Sequence, residues 1–143
     1  MNGFLGTQAP VRSDLSLVLT ILLGLAATVG AINAHRHRYS QHCPVMTTAA
    51  LLNWVPVLAV MVPTGVAALT GALDIEAGVP TGLVVAHAVV GLITQSTMTY
   101  TVTRMNWLED LPPKKPIWLM RSTITLWSVA IITGVAVYVT LYV

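Results

Sequence analysis

The tightest grouping of ligand-type side chains in this chain is His42, Cys43 and Met46, with His35 and His37 just before it. Residues four apart on a helix share a face, so His42 and Met46 address one ion if their helix already includes His42. Imidazole, thiolate and thioether together suit a soft metal such as Cu(I). The competing reading is a short basic loop. In it the histidines are solvated or touch lipid headgroups, and Arg36 and Arg38 repel a cation. H-C-x-x-M is not a specific motif, so both readings stand.

His87 is different in kind. It lies within an apolar run, roughly six residues in and so about 9 Å deep at 1.5 Å per residue. An ionisable group at that depth is costly unless it is paired or faces protein, and is a functional candidate for that reason. Gly91, Thr94, Met98 and Thr101 follow at steps of three or four, with Gln95 adjacent. This polar stripe should face neighbouring helices, and Asn53 is a candidate partner across the interface. His87 is then either a neutral histidine making one structural hydrogen bond or a group that binds a ligand or handles a proton. A haem b held by His87 is one such role.

The elements that position these residues follow from composition. The chain is 55% hydrophobic and 8% charged, whereas a soluble domain carries about a quarter charged residues. There is too little charge to coat a water-facing surface, and lipid removes the need for one. A spanning helix takes roughly 20 apolar residues, and four runs qualify: residues 15–34, 44–63, 80–103 and 117–142. Ser13 and Asp14 are the expected N-caps of the first. Pro44 suits the first turn of the second, and Pro56 should kink it. Residues 35–43 and 104–116 read as loops, and 64–79 as a connection that includes at most a short interfacial helix. Gly24, Ala27, Gly30 and Gly134 suit close helix contact.

Orientation follows from the placement of basic residues. Arg36 and Arg38 lie in the first connection; Arg104, Lys114, Lys115 and Arg121 lie in or beside the third. The second connection has only Asp74 and Glu76. The expected fold is therefore an all-α, antiparallel bundle of four transmembrane helices with both termini outside, multi-pass in the inner (cytoplasmic) membrane. Arg12 alone dissents. Trp107 and Trp118 mark the inner boundary, Tyr138 and Tyr142 the outer one. No cleavable signal peptide is expected, because the N-terminus lacks a basic region before its apolar run.

Several function classes drop out. The net charge of +2 reflects basic loops that orient a membrane protein, so nucleic acid is not an expected partner. One cysteine excludes an internal disulfide framework. All five acids fall at loops or helix ends, leaving no carboxylate within the membrane for proton pumping. Serines and threonines in membrane helices usually bond back to the backbone, and nothing pairs a nucleophile with a base. His42 and His87 cannot share one haem. They stand at opposite edges of a core about 30 Å thick, roughly 20 Å apart along its normal, against about 4 Å across a ligated iron.

With the helices placed, three stretches resemble a known family. They are His42-Cys43-Pro44-Val45-Met46-Thr47-Thr48-Ala49, then Ala86-His87-Ala88, then Thr125-Leu126-Trp127 followed by Thr133-Gly134-Val135-Ala136-Val137-Tyr138. The pattern is similar to that of small four-helix membrane proteins, long classed as a domain of unknown function, that include the assembly factor of aa3-type and caa3-type cytochrome oxidases. The resemblance covers most of the chain from the second helix onward. It departs where members often carry further histidines, for here those regions read Val60-Met61-Val62-Pro63 and Lys114-Lys115-Pro116-Ile117. His42, Met46 and His87 are the positions it carries over.

The resemblance implies a non-catalytic accessory subunit or assembly factor of a respiratory complex, most readily one related to haem–copper oxidases. The alternative is a subunit that binds haem b or copper and carries electrons within a larger complex. No cofactor is required by the sequence. The expected partners are the lipid bilayer and membrane subunits of that complex.

Overall fold

The computed structural model describes residues 3–70, 81–108 and 117–143. All regular structure among them is helical, and four helices are long and apolar enough to cross a membrane. They are the first, Val11–His35; the second, Tyr39–Ala67; the third, Gly82–Asn106; and the fourth, Ile117–Tyr142. The shortest of these has 25 residues, about 37 Å at 1.5 Å per residue, enough for a hydrocarbon core about 30 Å thick.

Each helix packs on the next in sequence, and the fourth closes on the first. The core is Leu23 and Ala27 of the first helix, Ala49 and Ala50 of the second, Met98 and Val102 of the third and Trp127 of the fourth. Small residues set the spacing as expected. An added methyl group on Gly24 would meet Ile131, one on Gly30 would meet Met46, and one on Gly134 would meet His87. The opposite faces carry exposed Leu22, Leu25, Leu58, Leu92 and Ile132. These apolar bands run the length of the helices, a surface suited to lipid rather than water.

The helices are longer than their sequence signals. The turn between the first two is only Arg36, His37 and Arg38, and His42 and Cys43 lie within the second helix, not in a loop. The physical reason is a tight helix end that needs no glycine. The His37 N–H bonds the Ala34 carbonyl at 3.0 Å and the Arg38 N–H bonds that of Asn33 at 2.8 Å. This pair of bonds closes a helix through a left-handed residue, and His37 takes that conformation at φ 56°. His37 is exposed and its ring meets the Tyr39 hydroxyl. Glycine enters the left-handed region without a Cβ penalty, so His37→Gly is expected to raise stability by about 0.5–1 kcal/mol, measured by thermal unfolding in detergent.

Pro44 consequently falls in the second turn of its helix and not the first. The anticipated irregularity around Pro56 is present: the helix breaks at Asn53 and then widens into a π-turn over Val57–Met61. Pro56 has no N–H to give to the Leu52 carbonyl, and the wider turn absorbs the defect. Helix continues through Val62–Leu69, so residues 64–69 extend the second span and are not part of a connection. Arg104, Met105 and Asn106 likewise extend the third helix. The remainder of the 64–79 connection beyond Thr70, and residues 109–116 with Lys114, Lys115 and their prolines, lie outside the described residues. The fourth helix has the expected bounds, Ile117–Tyr142.

The first helix begins at Val11 with Pro10 as its cap, so Ser13 and Asp14 are in its first turn and cap nothing. Asp14 instead is hidden from solvent. Its Oδ2 accepts the Leu5 N–H at 2.9 Å, and Tyr138 of the fourth helix donates its hydroxyl proton to Oδ1. Thr7 lies 2.8 Å from the same tyrosine oxygen. With the Gln8 N–H bonding the Tyr142 carbonyl at 3.3 Å, the N-terminal segment is folded over the ends of the first and fourth helices. The segment of residues 3–10 and the C-terminal end of the fourth helix are thereby brought together at one end of the bundle.

Candidate functional site

A concave place lined by ligand-type residues is at the other end, between the second, third and fourth helices. A cavity of about 90 Å³ is lined there by His42, Cys43 and Met46 from the second helix, Met98 and Met105 from the third, and Met120 from the fourth. Its polar lining includes Thr101 and Thr123, their hydroxyl oxygens 3.3 Å apart, and Thr47 and Asn106, joined by a 3.2 Å hydrogen bond. The sequence-identified trio is thus brought to one cavity, and three further thioethers join it.

Each ligand-type residue reaches the cavity for a local reason. His42, Met46 and Ala50 are four apart on one helix face, a face that exists because the turn at residues 36–38 lets helix start at Tyr39. Met98 and Met105 are seven apart on the third helix, two turns along one face. His42 donates its Nδ1–H to the Gly30 carbonyl at 2.8 Å, since a carbonyl can only accept. That bond leaves Nε2 as the nitrogen with a lone pair, and it fixes the ring. Gly30 also gives the Met46 sulfur its room, because a Cβ there would lie 2.6 Å from Sδ. Arg104 is buried, with Nη1 3.4 Å from the Met105 sulfur. Cys43 is exposed, which opens the site to approach from outside.

His35 and His37 are not part of this arrangement: both are exposed, and His37 serves the turn. Met105 and Met120 were missed by sequence reasoning. The seven-residue spacing of Met98 and Met105 was the available signal, and nothing local distinguished Met120. Among the described residues no three His, Cys, Asp or Glu side chains gather where they could hold a metal, so any metal here must be one that thioethers satisfy.

His87 is elsewhere, in contact with the fourth helix. The Thr133 hydroxyl donates to the Val129 and Ala130 carbonyls, so the His87 Nδ1–H donates to Thr133 Oγ1, at 3.1 Å. Gly134 lets the ring approach: a Cβ there would stand 3.0 Å from His87 Cε1. Asn53 does not reach His87. Its Nδ2 donates to Gln95 Oε1 at 2.8 Å, joining the second and third helices. Thr94 is buried, but its hydroxyl returns to the Val90 carbonyl. Of the expected stripe, Thr94, Met98 and Gln95 are buried, and Thr101 meets Thr123. Gly91 differs, with open space where a Cβ would project.

The amide pair is half used: Asn53 Oδ1 and Gln95 Nε2 are buried with no hydrogen-bond partner among the described residues. Interhelical hydrogen bonds in membranes average about 0.6 kcal/mol and reach about 1.7. A double-mutant cycle of Asn53→Ala and Gln95→Ala is expected to give a coupling within that range. Zero coupling by denaturant titration in micelles would show that the bond is not made.

Searches against protein-family models, curated proteins and solved structures found no match to this chain.

Proposed function

We propose that this protein is a non-catalytic accessory subunit or assembly factor of a membrane electron-transfer complex, of the haem–copper oxidase class. It is an antiparallel four-helix bundle with both termini on the outer side of the cytoplasmic membrane. The observation that carries the reading is where the residues of the family resemblance lie. Trp127 is in the core, Thr133 and Gly134 receive His87, Tyr138 bonds Asp14, and His42 bonds the Gly30 carbonyl. The residues that carry the resemblance include several that join helices, which supports reading them as parts of a packed bundle.

Contacts support the helix directions. Asp14 meets Tyr138 while Gly24 meets Ile131; Thr47 meets Asn106 while Asn53 meets Gln95. Rising numbers on one helix meet falling numbers on its neighbour. With Arg36, Arg38 and Arg104 at one end of the bundle, the positive-inside rule supports reading that end as cytoplasmic. The apolar outer faces offer partner helices and lipid the same kind of surface, as association through helix packing requires.

The test is affinity purification in gentle detergent from the native membrane, with mass spectrometry and a haem spectrum on one sample. Terminal-oxidase subunits should co-purify. Recovery of the chain alone after crosslinking in intact membranes would overturn the reading. Orientation is checked by thiol labelling of Cys43 and, in a Cys43→Ser background, of Gln8→Cys. Impermeant reagent should reach the second from outside the cell and the first only from within.

A further inference from the structure

We infer that the groove between the first and second helices binds one anionic phospholipid, with an acyl chain in the groove and the phosphate at Arg36 and Arg38. This site stands on the groove and the charge beside it and does not require the oxidase reading.

The groove has a volume of about 340 Å³. Leu23 and Ala49 form its floor, and both are buried. Pro44, Val45, Thr48 and Leu52 line its second-helix side, and of these Pro44, Thr48 and Leu52 are exposed. It therefore opens toward lipid and not into the bundle. Small residues create it. Gly30 lets the two helices approach at Val45 and Met46, and alanine at position 49 leaves the furrow between them unfilled.

Length selects the occupant. From Pro44 to Leu52 the groove extends about 12 Å at 1.5 Å per residue. Half of a hydrocarbon core about 30 Å thick is about 15 Å. The groove thus matches the depth of a single leaflet, as an acyl chain does. A partner spanning helix would call for contact across both leaflets.

Charge selects the headgroup. Leu52, Thr48, Val45, Gln41 and Arg38 step by four and three, so one stripe of the second helix leads from the groove to the turn. Arg38 stands about 9 Å beyond Pro44 along that axis, a distance spanned jointly by its long side chain and a glycerophosphate. Arg36 and Arg38 are exposed, and the turn they occupy is closed by backbone bonds. Asp14, the one acid among the described residues, is at the opposite end of the bundle. Six of the seven Lys and Arg residues fall in or beside the connections at this end, against Glu109 and Asp110. Basic residues at such a site between helices recruit anionic headgroups, and a guanidinium meets phosphate oxygens through paired N–H bonds.

The arginines alone have a simpler use in orienting the chain, which needs no groove. That difference supplies the test. Full-length protein in detergent is titrated with phosphatidylglycerol or phosphatidylcholine of identical chains and read by native mass spectrometry. One phosphatidylglycerol per chain is expected, held more tightly than phosphatidylcholine. Arg36→Gln combined with Arg38→Gln should weaken phosphatidylglycerol by about 25-fold, or about fivefold for each charge removed, and leave phosphatidylcholine unchanged. Thr48→Phe fills the groove from its exposed side, so the melting temperature should hold while phosphatidylglycerol binding falls. Ala88→Phe, at an exposed position of the third helix, is the matched control and should bind as the wild type does. Absence of binding, or equal affinity of the wild type for the two lipids, would overturn the site. Unchanged phosphatidylglycerol affinity in Thr48→Phe would also overturn it, because charge alone would then hold the lipid. So would a dimer or a co-purifying polypeptide that Thr48→Phe removes, because the groove would then belong to a helix.

Discussion

Gly30→Leu is expected to separate the first two helices and to lower stability by about 1–3 kcal/mol, the usual cost of overpacking a well-filled contact. Gly30 is buried, and its Cβ would lie 2.6 Å from Met46 Sδ, 3.1 Å from Cγ of the same residue and 3.4 Å from Val45 Cγ1. Met46 is flexible enough to swing its sulfur away from one methyl group, so Gly30→Ala should cost much less. Leucine has no such exit, because Val45 closes the other side. In water a separated pair would bury the new side chain and recover part of the loss. In lipid the released faces gain no hydrophobic penalty to drive them back, and packing is most of what holds helices together. The same substitution disturbs the carbonyl to which His42 bonds, which adds to the loss of stability. Unfolding by denaturing detergent, followed by circular dichroism, compares the three proteins. Equal stability of Gly30→Leu and wild type would mean that the helices are not this close.

Asp14→Ala is expected to release the N-terminal segment while leaving the four spans helical. The carboxylate accepts from Leu5 and from Tyr138, and Tyr138 is in turn met by Thr7. Those contacts, with the Gln8 to Tyr142 bond, are what hold residues 3–10 against the helix ends. These contacts lie at the ends of the first and fourth helices, so the consequence is local opening and not collapse of the bundle. Amide exchange at Leu5 should accelerate by about tenfold or more, and the segment should become sensitive to protease in proteoliposomes. Tyr138→Phe keeps the ring packed against Tyr142 and removes only the hydroxyl, so it should reproduce the release. Asp14→Asn should be intermediate, since an amide retains one acceptor oxygen where the carboxylate used two. Exchange at Leu5 unchanged in both Asp14→Ala and Tyr138→Phe would show that the segment is held by something else.

The two substitutions probe opposite ends of the bundle, and the contrast bears on mechanism. At the cavity end, polar and soft side chains converge on space. At the terminal end, Asp14 is consumed by hydrogen bonds, as His87 is consumed by Thr133 nearer that end. His87 and His42 each have one nitrogen committed to helix contact, to Thr133 and to the Gly30 carbonyl.

Local sequence alone determined that this chain is helical and carries four apolar spans, because both depend on runs of side chains and on hydrogen bonds within a segment. It also determined the close-packing role of Gly24, Ala27, Gly30 and Gly134, since small size is a property of the residue itself. Even the tendency of threonines to bond back was legible, as Thr94, Thr101 and Thr123 do. Helix ends were less so: the turn at residues 36–38 closes on a left-handed histidine, and nothing short of backbone geometry distinguishes that from a longer loop. Only the tertiary structure decided the partners. Asp14 looks like a cap until Tyr138, 124 residues away, is seen to cover it. Met120 looks like lipid-facing bulk until the fourth helix places it among the residues that line the cavity. The physical reason is the same in both cases: a lipid-soluble helix can rotate about its axis at little cost, and contacts with its neighbours choose the face.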